Sequence, residues 1–412
     1  MSLSNPWFLV ALVWIVGWFH LKLAADFLNL SRLGDDVPEA MKDVVTPEDR
    51  ERTTAYQSSL ARLDVIEDGL SLAITLGLWW SGAFGWLEGK AASVGWGTVG
   101  NGLWLMGVLF IGSSLLSLPL DLWRTFGVET EFGFNKTSLR TFLMDRLKGL
   151  ILAAALGLPL MALLLWLFES SPLAALWSWL LVTAWGLLMT WLAPRFIMPL
   201  FHRFEPMPEG ELRQGILALA ERLKFPVADI SVIDGSRRST KANAFFAGFG
   251  KTRRIALFDT LIQGYSTEEI VAVLAHEIGH AKLSHVPRQI LMGLFLSGLM
   301  FALLHVGLHD ERLFSAFGVG HPSVAMGMIL FMIVYSPWSR LFDPLVSYLS
   351  RKHEFEADRF AAQAVGSSVP LATALKKLSH DHLAHLTPHP LYVWLHYSHP
   401  PLTERLAALA KA

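Results

Sequence analysis

The chain has 412 residues, 53% of them hydrophobic and only 17% charged, where soluble proteins carry about 25% charged residues. It has no cysteine, which excludes disulfides, thiolate metal sites and a cysteine nucleophile. Its formal net charge of −1 gives no overall attraction to nucleic acid, so no nucleic-acid partner is expected.

A membrane span takes about 20 mainly apolar residues. Seven segments qualify, roughly 7–25, 65–87, 103–122, 150–168, 173–192, 290–308 and 324–345. The first lacks a basic start and reads as an anchor rather than a signal peptide. The 16 tryptophans suit aromatic belts at the bilayer interfaces. Asp64, Glu67, Asp68 and Asp121 lie at or near span edges, where acidic groups seek water or partners.

Basic residues set orientation. The first connection carries Arg32, Lys42, Arg50, Arg52 and Arg62, and the third carries Arg124, Lys136, Arg140, Arg146 and Lys148. The second has only Lys90 and the sixth only Arg312. Odd-numbered connections are therefore expected in the cytoplasm, with the N-terminus outside and the C-terminus inside.

The expected organisation is four-part. Residues 1–192 hold spans one to five, 193–288 form a small cytoplasmic α/β insertion, 289–345 hold spans six and seven, and 346–412 form a cytoplasmic C-terminal segment. Within the insertion, Leu212, Ile216, Leu219 and Leu223 repeat at helical spacing. Residues 230–233 and 254–258 read as short strands, with turns at Gly235 and Gly250. The apolar run from Asn243 to Phe249 reads as an edge strand that could accept an extended peptide, with Asn243, Ala244 and Phe245 as its substrate contacts.

Ser266 and Glu269 form a capping box that opens the next helix. That helix carries His276-Glu277-Ile278-Gly279-His280. Histidines four apart share one helical face and can reach one ion, while Glu277 is placed to move a proton as general base. Catalytic zinc takes three protein ligands and keeps a position open. The third ligand is sought in Arg351–Asp358, where Glu354 and Asp358 share a face and His353 and Glu356 are rivals. One of the two carboxylates could bind metal while the other supports a ligating imidazole. Six histidines between His380 and His399 fit no single helical face, so a second metal site is not expected.

Together these residues resemble the type I CAAX prenyl proteases, integral-membrane zinc metalloproteases. The likeness rests on the HEIGH run, on Glu354-Phe355-Glu356-Ala357-Asp358, on Ser398–Leu406, and on Phe132–Lys136 and Asn243–Phe249. It implies Glu354 as third ligand of one zinc ion per chain and Asp358 as support behind the ligands. It also implies His399 as a catalytic donor to the developing oxyanion and Arg405 as a contact for the site or substrate. The fold it implies is a mainly α, multispanning barrel of seven helices around a water-filled intramembrane chamber. The compact loops suggest a bacterial member, in the inner membrane.

The expected function is therefore hydrolysis of peptide bonds near the C-terminus of prenylated or other membrane-associated proteins. The expected partners are peptide or protein substrates, lipidated or not, and membrane lipids. The alternatives are a general membrane-protein quality-control protease, a transporter and a non-catalytic scaffold.

Overall fold

The structure is a computed structural model that describes residues 4–247 and 253–411. Among these residues, five helices are long and apolar enough to cross a bilayer: Pro6–Ser31, Gly97–Glu131, Leu139–Ser170, Ala174–Leu200 and His285–Leu308. Two further crossings are bent pairs, Pro47–Trp80 with Ala83–Ser93 at 70° and Val324–Ser339 with Asp343–Val365 at 51°. These seven elements follow the seven expected spans in order.

Their boundaries differ from the apolar segments. The second crossing starts at Pro47, not near residue 65, and breaks at Gly82, whose φ is +74°. The fourth starts at Leu139, not near residue 150. Helix Pro47–Trp80 has 34 residues, about 51 Å at 1.5 Å each, so it overreaches a hydrocarbon core of about 30 Å. Hydropathy marks only the part in lipid. The capping box of Thr46 with Asp49 marks where this helix begins.

The spans close a ring. The first packs on the second and the seventh, and the series runs on through the sixth, fifth, fourth and third back to the second, with the seventh also packed across on the third and fourth. At most 17% of the apolar window of any straight span is buried. A solid bundle would bury a stripe at least about 100° wide on every helix. The ring therefore surrounds a chamber, as the barrel expectation holds. Its acidic edge residues are paired: Arg124 holds Asp64 at 2.7 Å and Glu67 at 3.3 Å, Lys22 holds Asp68, and Arg146 holds Asp121.

One end of the ring is closed by packing. Trp79 is fully buried, stacks on Phe317 with ring centroids 4.5 Å apart, and donates to the Ala316 carbonyl at 2.8 Å. Gly85 lies so close to Gly318 that a Cβ would stand 2.7 Å from its carbonyl oxygen. Trp80, beside Trp79, is exposed to the surroundings.

The other end carries the insertion. Its four-stranded sheet has the order β1-β2-β4-β3, with β1 Phe204–Pro206, β2 Asp229–Ile233, β3 Ala244–Ala247 and β4 Arg254–Phe258. β2 and β4 are parallel, and the outer strands pair antiparallel. The predicted strands and the helix Glu211–Arg222 are present. Gly235 opens a turn against Phe258, where a Cβ would clash at 2.1 Å. Gly248, Phe249 and Gly250 lie outside the described residues.

The Phe132–Lys136 segment ties the third connection to this sheet. Lys136 N–H donates to the Arg238 carbonyl at 3.0 Å, and Thr240 N–H donates to the Phe134 carbonyl at 3.1 Å. Lys241 sits over the buried Phe134 ring at 4.5 Å and reaches Glu129 at 3.0 Å. The segment acts as an anchor beside the approach to β3.

Candidate active site

Helix Thr267–Lys282 opens on Ser266 with the expected capping box, Ser266 N–H donating to Glu269 at 2.8 Å. Its inner face is buried through Ile270, Leu274, Ala275 and Ile278 against the sheet and against helix Asp343–Val365. Gly279 permits the close approach of the two helices. A Cβ there would stand 3.1 Å from Phe360 Cδ1 and 3.3 Å from Ala357 Cα. This contact brings the HEIGH run level with Glu354 and Asp358.

Three side chains converge. His276 Nε2 and His280 Nε2 are 3.1 Å apart, Glu354 Oε1 is 3.2 Å from His280 Nε2, and Glu354 Oε2 is 3.4 Å from His276 Nε2. Nitrogen and oxygen ligands about 2.0–2.1 Å from a tetrahedral zinc lie about 3.3–3.4 Å from one another. One ligand atom from each of the three side chains lies within 4.8 Å of the other two, close enough to share one ion, and among the described residues no other group of three His, Asp or Glu side chains does so. Glu354 Oε2 is also buried without a hydrogen bond of good geometry, a costly state for an acceptor that a cation would relieve. Burial opposes charge on His276, but Asp358 and Glu354 outweigh it and push its pKa up to about 9. The cradle thus draws positive charge, and a bound metal would take the place of that proton.

Behind the triangle, His276 Nδ1 lies 2.8 Å from Asp358 Oδ1, although off the line a hydrogen bond prefers. Arg405 is buried and forks onto Asp358 at 2.9 and 2.6 Å, with a third nitrogen 3.3 Å from Glu354 Oε2. It stands beneath the ligands rather than on an open substrate face. His399 lies at the rim, exposed, with Nε2 3.4 Å from Glu354 Oε1 and Nδ1 2.9 Å from Ser398 Oγ. Glu277 is half-buried, and no hydrogen bond or ion pair takes its carboxylate among the described residues.

The rival ligands are used elsewhere. His353 stacks on His285 with centroids 4.1 Å apart, and Glu356 meets His285 Nε2 at 3.0 Å. His285 escaped the sequence reading. Its Nδ1 lies 3.0 Å from His280 Nδ1. With a metal on His280 Nε2, the His280 proton would sit on Nδ1 and be donated to His285, and the His285 proton would then sit on Nε2, facing Glu356. The only hint in the sequence was a histidine five residues after His280.

The late histidines disperse. Ala242 N–H donates to His382, His385 bonds the Asn29 carbonyl, and His389 caps the helix Pro390–His396. Asn243 is exposed at the start of β3, and its Oδ1 accepts from Ala244 N–H at 2.8 Å. Among the described residues β3 is paired on one side only, Ala244 opposite Leu257 and Phe245 opposite Ala256.

Comparison with known families agrees with this geometry. Residues 26–203 match the CAAX prenyl protease N-terminal domain of five membrane helices, and residues 206–412 match peptidase family M48. The chain belongs to the CAAX prenyl protease family. It is 35% identical over 386 residues to a CAAX prenyl protease 1 homolog of Oryza sativa, spanning 91% of this chain and 90% of that one. It is 32% identical to CAAX prenyl protease 1 of Saccharomyces cerevisiae, over 98% of this chain and 95% of the yeast protein. The crystal structure of S. mikatae Ste24p superposes with a TM-score of 0.93 at 32% identity, covering 98% and 99% of the two chains. As a member of this family, the chain is a multi-pass membrane, zinc-dependent metalloendopeptidase that acts on peptide or protein substrates.

Proposed function

We propose that His276, His280 and Glu354 hold the zinc ion and that the enzyme cleaves near the C-terminus of prenylated CAAX-type proteins, from the cytoplasmic side of the membrane. The observation that carries the site assignment is the ligand triangle with the unengaged Glu277 carboxylate beside it. The substrate assignment draws on the names of the relatives and on the apolar spans that could hold a lipid chain. The side is read from the basic first and third connections. A bacterial inner-membrane setting rests on the compact loops alone. We assign the catalytic head to the insertion 193–288 together with the C-terminal segment 346–412, the membrane ring taking up the rest.

A bound zinc supplies Lewis acidity toward water and the scissile carbonyl. β3 offers its free edge to an extended substrate, so that main-chain hydrogen bonds set the register and Asn243, Ala244 and Phe245 line it. Glu277 takes a proton on its carboxylate and returns it to the leaving amine. His399, at the rim, donates to the carbonyl oxygen as negative charge develops there. Asp358 fixes the His276 ring, and Arg405 fixes Asp358, which makes Arg405 a positioning residue rather than a substrate contact.

Metal analysis tests the assignment. Purified Glu277→Gln should keep about one zinc per chain and lose peptidase activity, whereas Glu354→Ala should lose both. Full zinc in Glu354→Ala would refute the third ligand.

A further inference from the structure

A basic cavity lies away from the active site. It has a volume of about 630 Å³ and lies between the start of span four, the end of span five and the turn after β2. Arg140, Lys148, Arg203, Arg237 and Arg238 line it, and Asp145 is its one acidic wall residue. Asp145 is engaged by Arg238 at 2.9 and 3.2 Å. Arg238 Nη1 is buried with no acceptor. The guanidinium groups of Arg140, Arg203 and Arg237 have no acidic partner among the described residues. Lys148 is fixed in place by the Leu200 carbonyl at 2.7 Å and lies over the Phe201 ring.

The surroundings decide what such a cavity suits. Arg140, Met144 and Lys148 form one stripe of helix Leu139–Leu152 and line the cavity. The adjacent stripe, Leu139, Leu143 and Leu147, is apolar and about half exposed. The helix runs on as a membrane span to Ser170. A solvated basic face would not need an apolar stripe beside it, and a site for a soluble anion would not need to sit at the mouth of two spans. An amphiphile uses both: its anionic head enters the cavity and its acyl chains lie along the leucines. The cavity also adjoins β1, the sheet edge opposite the substrate strand β3, so it is not part of the peptide groove.

We propose that this cavity is a binding site for a membrane phospholipid with a net-anionic phosphodiester headgroup. The lipid docks the insertion onto the bilayer at the ends of spans four and five. Basic side chains near an anionic membrane surface each contribute about a fivefold factor in affinity, so removing three should weaken binding on the order of a hundredfold.

The test uses full-length protein in detergent, titrated with phosphatidylglycerol, phosphatidylcholine or inorganic phosphate and read by native mass spectrometry. Wild type should hold phosphatidylglycerol in preference to phosphatidylcholine, with inorganic phosphate failing to displace it. Arg140→Gln/Arg203→Gln/Arg237→Gln should lose that preference by about a hundredfold. The same three positions changed to Lys should keep most of it, and Lys42→Gln/Arg62→Gln/Arg222→Gln, which removes equal charge elsewhere, should keep all of it. Equal loss in both Gln triples would show a diffuse charge effect and overturn the site. Binding of inorganic phosphate with no lipid preference would overturn the lipid assignment, and so would unchanged lipid binding in the first triple. Zinc content and thermal unfolding of each variant identify any misfolded sample, and the Lys triple then supplies the comparison with charge retained.

Discussion

Arg405 grips Asp358 with two nitrogens, at 2.9 and 2.6 Å, and the same carboxylate reaches His276 Nδ1 at 2.8 Å. The pair is buried, so removing one member strands the other. Arg405→Met should destabilise the head by about 3–5 kcal/mol, the cost of breaking a buried ion pair. Arg405→Lys keeps the charge and loses the fork, so it should fall between Arg405→Met and wild type. Thermal unfolding in detergent reads both. A wild-type melting point for Arg405→Met would show that the fork does not support the site.

His285 makes a prediction that separates metal binding from chemistry. It links His280 to Glu356 through two 3.0 Å contacts. Partners of this kind, behind a metal ligand, typically carry about 10–100-fold in affinity. His285→Phe and Glu356→Gln should each weaken zinc binding in that range, measured by chelator competition with no substrate present. Unchanged zinc affinity in both variants would remove the relay.

Gly279 allows its helix to meet Ala357. A methyl group there would crowd Phe360 Cδ1 at 3.1 Å. Gly279→Ala should cost about 1–3 kcal/mol by overpacking and lower zinc occupancy by spreading the ligands. Adding Phe360→Leu should recover part of both. Zinc content and unfolding midpoints of the single and double variants decide it, and no recovery in the double would place the clash elsewhere.

Substrate lipid should act on binding. Each buried methylene adds about 0.8 kcal/mol of favourable transfer, and binding that is equal in ground and transition states lowers KM without raising kcat. A farnesylated CAAX peptide should therefore show a lower KM than its bare counterpart at similar kcat. His399→Ala should lower kcat more than it raises KM, by about 10²–10³-fold if it serves as an oxyanion donor. Equal KM for the two peptides would favour a quality-control protease.

Orientation can be read with single cysteines, because the native chain has none. Lys90 and Arg312 are exposed. Lys90→Cys and Arg312→Cys should react with impermeant maleimide on intact cells, and cysteines placed in 193–288 should not. The reverse pattern would invert the topology.

Much of the site could be read from the chain because its key spacings are local. His276 and His280 share a helical face whatever surrounds them. Spacing puts Glu354 only modestly ahead of His353 and Glu356, since the choice depends on how two helices pack, and the likeness to a family adds the rest. His285 was missed for a related reason. It follows Ser284, whose φ of +60° breaks one helix and starts the next, and its partner Glu356 lies 71 residues away. Arg405 was expected as a contact for the site or substrate, and which of the two it serves depends on how the last helix packs against Asp343–Val365. The apolar middles of the spans were legible, but their extensions were not, since charged residues interleave there with apolar ones and leave no continuous hydropathy signal.

The Trp79–Phe317 closure has an electrical consequence. A ring of seven spans around water would short-circuit any membrane that holds a voltage if both ends were open. The buried indole, its stacked phenylalanine and the Gly85–Gly318 contact stop one end with packed apolar side chains. Moving one elementary charge through 100 mV releases about 2.3 kcal/mol, a steady drain that a leaking chamber would impose. Packing at this end is what would let a hydrated chamber sit in an energised membrane without becoming a pore.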